Sequence, residues 1–336
     1  MLIYSLIGSV FFIISLFLIT YRFCGGNNFI DLERLAAFSM FSFLIIFTSF
    51  RIDSGFDFEN YKNIFLGISD THVEPLFLFL INIFRYTDSF HSFLFFIAFL
   101  SIYIKLYVFC KLKLTYLTFA VLLYYLTIFL NLDMGVLRQG IALSFIGIAF
   151  VFYLKSNSKC YFLSVLIASL FHLSAIIFIP FYFVFKLKLN LYFICVLILS
   201  SFIINALLSG QLAFISILLS FFGDKYSAYT NNLEPIGFTL GFYVKYFLFF
   251  IFYFLVSNRY IKNNDIRTSH INEKLLNACL IVFISGLVFF TCFNSIPIIA
   301  ARTGGYFKFF ELILFCYCLS IEKKTCLLYT SPSPRD

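Results

Sequence analysis

The chain has 336 residues, 62% hydrophobic and 12% charged, with a mean hydropathy of +0.98. No polar stretch is long enough to enclose a core of its own, which excludes a soluble domain. The net charge of +8 follows from basic residues gathered in the inward loops of a membrane protein, so nucleic-acid binding is set aside.

Apolar stretches of roughly spanning length cover about 2–20, 35–50, 89–109, 114–131, 136–154, 160–185, 189–208, 239–256, 275–293 and 303–320. They predict an all-α polytopic integral membrane protein with nine or ten transmembrane helices, residues 1–325 forming one domain. Residues 1–20 read as a first span, because they lack a basic leader and a small-residue cleavage site. The nine cysteines lie in or beside apolar stretches, without C-x-x-C or Cys/His metal spacing, and read as reduced, buried hydrophobes. There is no Trp, so Tyr must supply any interfacial aromatic belt. Residues 326–336 change abruptly to Ser and Pro, resemble translated vector sequence and are left out of the fold.

Basic connections at Arg22 with Arg34, Lys105 to Lys113, Lys155 with Lys159, Lys186 with Lys188, Arg259 to Lys274, and Lys323 with Lys324 are expected to face the cytoplasm. Lys155/Lys159 and Lys186/Lys188 flank one stretch, so a single crossing would put one pair outside. Two half-length helices turning near Phe171 to Ser174 would keep both inside, as a re-entrant hairpin over 160–185. The alternative is one long tilted span.

The outward connections are then 51–88, 131–137, 209–238 and 294–302, and most remaining charges fall in or beside them. In Arg51 to Tyr61, Gly55 permits a turn that gathers Arg51, Asp53 and Asp57, and a helical segment would place Asp57 and Tyr61 on one face. Carboxylates there suit a general base and Tyr suits a sugar ring; a solvated loop is the plainer reading. Glu74-Pro75 is a helix-start signal, with Glu74 as a cap or a functional acid. Arg138 opens the fifth stretch, where a guanidinium fork suits phosphate, with interfacial snorkelling as the alternative. His172 lies in an apolar run and needs a polar partner at that depth, as base, proton relay or structural group. The outer segment 209–238 has an apolar run at 211–222, read as an interfacial helix, then Asp224, Tyr229 and Glu234. Arg302 begins the last stretch and offers a second arginine for an external anion. There is no P-loop, G-x-S-x-G, H-E-x-x-H or D-x-D, so no cofactor, nucleotide or metal is expected.

The ordered set R-x-D-x-G-x-D-x-x-x-Y (51–61), E-P-L-F (74–77), R-Q-G-I-A (138–142), A-S-L-F-H-x-S-A (168–175) and R-x-x-x-Y-F (302–307) resembles the EpsG family. These are Wzy-type polymerases of bacterial exopolysaccharide and O-antigen repeats. The resemblance implies glycosyl transfer at the outer face of the bacterial cytoplasmic membrane. A glycan on undecaprenyl pyrophosphate would pass to the hydroxyl of an incoming lipid-linked repeat unit. It further implies that Arg138 and Arg302 grip the pyrophosphate and that one of Asp57, Glu74 or His172 takes the hydroxyl proton. Arg51, Asp53 and Tyr61 would shape the sugar subsite, and a chain-length regulator and a repeat-unit flippase would be partners. The competing readings are a lipid-linked glycan flippase, an O-antigen ligase-like enzyme and a sugar acyltransferase.

Overall fold

A computed structural model describes residues 2–24, 28–52, 54–68, 73–114, 116–210, 236–262 and 269–329. Asp53, His72, the 211–222 run, Asp224, Tyr229, Glu234 and most of the 326–336 tail lie outside the described residues. The structure is helical, without a strand among the described residues. Lipid leaves the backbone no outside partners, and a helix closes its own hydrogen bonds. The chain packs as two compact units, Met1–Tyr182 with Phe315–Asp336, and Phe183–Leu314.

The first unit begins with α1 (Leu2–Phe23) and α2 (Phe29–Ser49). Two short helices follow, α3 (Phe58–Leu66) and α4 (Pro75–Arg85). Next come α5 (Phe90–Lys111), α6 (Leu117–Tyr124), which widens into a π-helical segment over Tyr125–Asp133, and α7 (Leu137–Leu154). Then α8 (Ser158–Phe171) runs to His172, and a 3₁₀ turn (Leu173–Phe178) leads to α9 (Phe181–Val184). The second unit holds α10 (Leu191–Gly210), α11 (Leu240–Lys262), α12 (Ser269–Cys292) and the first half of α13 (Pro297–Tyr329). Among the described residues, α1, α5, α7, α10, α11 and α12 are long and apolar enough to cross a membrane. The protein is thus a multi-pass membrane protein.

Local chemistry sets the boundaries. Ser89 accepts the amide of Ser92 at the start of α5, and Asn157 accepts that of Cys160 at the start of α8. Gly67 ends α3 in the left-handed conformation, with φ 74°. Arg85 then caps the same helix end, its Nε donating to the Phe65 carbonyl at 2.8 Å. That bond ties α4 to α3 and lays Phe77 against Tyr61, ring centroids 5.5 Å apart.

The chain doubles back at His172. The Tyr161 hydroxyl donates to the Phe178 carbonyl at 2.6 Å, across 17 residues. In a continuous helix those residues would stand about 25 Å apart. Tyr182 also returns against Tyr161, at 5.1 Å between ring centroids. The half-length hairpin expected from the two lysine pairs is therefore present, in place of one long span.

One expectation is corrected. Lys105, read as the start of a cytoplasmic loop, lies inside α5 with no exposed surface. Its Nζ pairs with Asp133 Oδ1 at 2.8 Å and donates to the Gly140 carbonyl at 3.0 Å. The basic connection after α5 is carried by Lys111 and Lys113. In the second unit, Lys245 on α11 pairs with Glu311 on α13 at 2.8 Å.

Candidate functional site

The site in the first unit is assembled by three helix boundaries. Glu74 stands immediately before α4, where Pro75 fits the first turn without loss of a donor. Arg138 is the second residue of α7. His172 sits at the break of the hairpin, in extended conformation (φ −156°, ψ 115°). Its N–H still closes the last turn onto Ala168, while its carbonyl accepts the Ala175 amide and starts the 3₁₀ turn. Phe171, one residue earlier, stacks on Phe145 of α7 at 5.6 Å and pins the hairpin tip beside the helix that carries Arg138.

Glu74 bridges the other two. Its Oε2 accepts from Arg138 Nη1 at 2.6 Å, and its Oε1 accepts from His172 Nδ1 at 2.9 Å. The Glu74 and Arg138 side chains are each 18% exposed, and His172 is 8% exposed. The site is enclosed yet reachable. Burial acts to raise the Glu74 pKa, but the His172 hydrogen bond and the Arg138 charge outweigh it and hold the carboxyl at about 2. A carboxylate held that low is a poor proton acceptor near neutrality. Because a carboxylate can only accept, His172 donates through Nδ1, and in the neutral ring the acceptor nitrogen is then Nε2. Nε2 is buried and has no hydrogen-bond partner.

Around this core lie the remaining candidates. Tyr61 is fully buried, with its ring 5.9 Å from the Arg138 guanidinium carbon. Its hydroxyl faces that charge without a hydrogen bond of ordinary geometry. Arg51 follows α2, and its Nη1 donates to the Met134 carbonyl at the end of the π-helical segment. Burial pulls its pKa down to about 10, so it stays cationic. Asp57 is half-buried at the start of α3 and is not part of the Glu74–His172 contact. Arg302 is exposed on α13 in the second unit.

A buried polar group that the sequence reading missed lies behind Arg138. Asp133 takes Lys105 and Ser101 on Oδ1 and the Tyr124 hydroxyl on Oδ2, the last at 2.7 Å. Lys105 and Asp133 each looked like a loop charge; the available signal was an acid and a base flanking one apolar stretch without other partners. Among the described residues, no three His, Cys, Asp or Glu side chains are grouped to hold a metal ion.

A model of the EpsG family matches residues 34–330. Neither a curated protein nor a solved structure matches the chain.

Proposed function

Since the chain belongs to the EpsG family, whose membership implies a membrane polysaccharide polymerase-type function, we propose that it joins undecaprenyl-pyrophosphate-linked oligosaccharide repeat units into a longer glycan. The reading places the reaction at the outer face of the bacterial cytoplasmic membrane, with a repeat-unit flippase and a chain-length regulator as partners. It requires neither nucleotide nor metal, because the glycosyl pyrophosphate bond is itself the activated one.

The observation that carries this reading is the Glu74 bridge between Arg138 and His172. In the proposed step, the acceptor hydroxyl oxygen bonds to the anomeric carbon of the growing glycan as the bond from that carbon to the pyrophosphate oxygen breaks. The hydroxyl proton goes to His172 Nε2. The departing undecaprenyl pyrophosphate keeps the electron pair, and Arg138 stabilises its charge. Glu74 fixes the imidazole tautomer and balances the imidazolium that forms, so it is a positioning residue and His172 is the base. Asp57, half-buried at the start of α3, stays the alternative base and is tested by its own substitution. Arg302 keeps its pyrophosphate assignment as a separate proposal, tested by its own substitution.

The test is polymerisation by the purified protein in liposomes, supplied with lipid-linked repeat units and no nucleotide or added metal. A ladder of lengthened glycans is expected from the wild type. His172→Ala should lower its rate by about 10²–10⁴, and Arg138→Ala and Arg302→Ala should abolish it. Wild-type ladders from properly inserted His172→Ala and Arg138→Ala would sink the mechanism. Movement of the lipid-linked unit between leaflets with no ladder would replace the polymerase with a flippase.

A further inference from the structure

Two lysines share one acid in the second unit. Lys245 of α11 donates to both carboxylate oxygens of Glu311 on α13, at 2.8 and 3.0 Å. Lys308 lies three residues before Glu311 on α13 and so shares a face of that helix with it. The charge of Glu311 favours the Lys308 ammonium, and that of Lys245 opposes it. Lys308 itself makes no ion pair or hydrogen bond among the described residues.

Two ammonium groups and one carboxylate leave one positive charge uncompensated. All three side chains are half-buried on apolar helices, where a lone charge is expensive. The other described acid of this unit, Glu273, does not supply the balance. It lies in the first turns of α12, whereas the Tyr246 hydroxyl, next to Lys245, meets Thr291 at the opposite end of α12. Those two levels are about 27 Å apart along the helix.

The group opens on lipid. Leu240, Tyr243, Val244 and Phe247 form an exposed stripe on α11, which is long and apolar enough to cross a membrane. Lys245 lies at the edge of that stripe, with 39% of its side chain exposed. An anion arriving from this side is carried on a lipid. The charge count then selects its kind. A phosphodiester with no cation of its own carries one negative charge and cancels the excess. A zwitterionic headgroup cancels nothing, and a lipid pyrophosphate overshoots.

We infer that Lys245 and Lys308 hold the phosphodiester of an anionic phospholipid such as phosphatidylglycerol, with Glu311 as the internal acid between them. Each ammonium has three donors, so Lys245 can keep Glu311 and still meet the phosphate. The bound lipid ties α11 to α13 at this level. The site needs nothing from the polymerase reading.

The test is native mass spectrometry of the purified full chain titrated with phosphatidylglycerol or phosphatidylcholine. The wild type is expected to bind phosphatidylglycerol about fivefold more tightly. Lys308→Gln should erase that preference, and Lys308→Arg should keep it. Lys245→Gln should erase it too, because Lys308 is then consumed by Glu311. Adding Glu311→Gln to Lys245→Gln frees Lys308 and should restore the preference, a rescue that a misfolded variant would not show. Equal binding of the two lipids by the wild type, or an undiminished preference in Lys308→Gln, overturns the site. Lys308-dependent binding of inorganic phosphate without any lipid preference overturns the lipid as its source. Lys308-dependent binding of a polyprenyl pyrophosphate in preference to phosphatidylglycerol overturns the phosphodiester and gives the site to a substrate.

Discussion

Lys105 Nζ stands 2.8 Å from Asp133 Oδ1, and neither side chain has more than 1% of its surface exposed. The pair joins the second half of α5 to the end of the π-helical segment, four residues before α7 begins. Lys105 also reaches the Gly140 carbonyl, and Ser144 bonds both the Ser101 and Gly140 carbonyls. The first turns of α7 are thereby fixed to α5, and Arg138 lies within them.

Removing one partner of this pair would leave the other charge buried and unpaired, at a cost of about 3–5 kcal/mol. Lys105→Met and Asp133→Asn should each lower the midpoint of thermal unfolding in detergent steeply. The double variant Lys105→Met with Asp133→Leu should recover part of the loss, because no lone charge remains. Single variants as stable as the wild type would show that the pair holds nothing.

How much of this was legible follows from where each charge sits. Glu74, Arg138 and His172 could be singled out because each is a polar group beside or inside apolar sequence, where it needs a reason. The reversal at His172 was legible because the lysines at 155, 159, 186 and 188 made a single crossing inconsistent. Their meeting was not legible, since sequence gives no distance between residues separated by 64 or 98 positions. Lys105 and Asp133 were misplaced for a physical reason: a buried charge is expensive alone, so each was moved to a loop, and only together are they tolerable inside. Arg51 looked like an interfacial charge because nothing local marks its burial beneath Phe58 and against Met134.

Gly55 holds φ +115°, and a Cβ there would collide with the Met134 carbonyl and lie 3.5 Å from Arg51 Nη1. Gly55→Ala should cost about 1–3 kcal/mol and, by shifting the carbonyl that orients Arg51, slow polymerisation as well. Gly304→Ala is the comparison, with nothing within 4 Å of the added methyl and an expected change in unfolding midpoint close to zero. Equal midpoints for the two variants would contradict the close approach.

Glu74 ties stability to acid pH. Its pKa falls from an ordinary 4.5 to about 2, so the folded state binds this proton more weakly than the unfolded chain. A depressed carboxyl of this kind contributes fully above about 4.5 and loses its contribution as pH falls toward about 2. Unfolding followed between those limits should show a slope that Glu74→Gln flattens, and the variant should also be less stable at neutral pH. A slope identical in the two proteins would place the acid sensitivity elsewhere.

The hairpin predicts membrane sidedness. With α8 rising to His172 and the chain returning through Phe178, Tyr182 comes back against Tyr161 near the start of α8, as a stretch that turns back rather than crosses requires. In a background without native cysteines, Lys159→Cys and Lys186→Cys should both react with an impermeant maleimide in inverted vesicles and be protected in intact cells. Labelling from opposite sides would require the stretch to cross. The turn itself rests partly on the Tyr161 hydroxyl, whose bond to Phe178 is buried. Tyr161→Phe should therefore cost about 1 kcal/mol, and it should slow polymerisation by loosening the tip that carries His172. Full activity with the expected loss of stability would mean that the tip is held well enough by Phe171 on Phe145, and that the bond at the base of the hairpin serves stability alone.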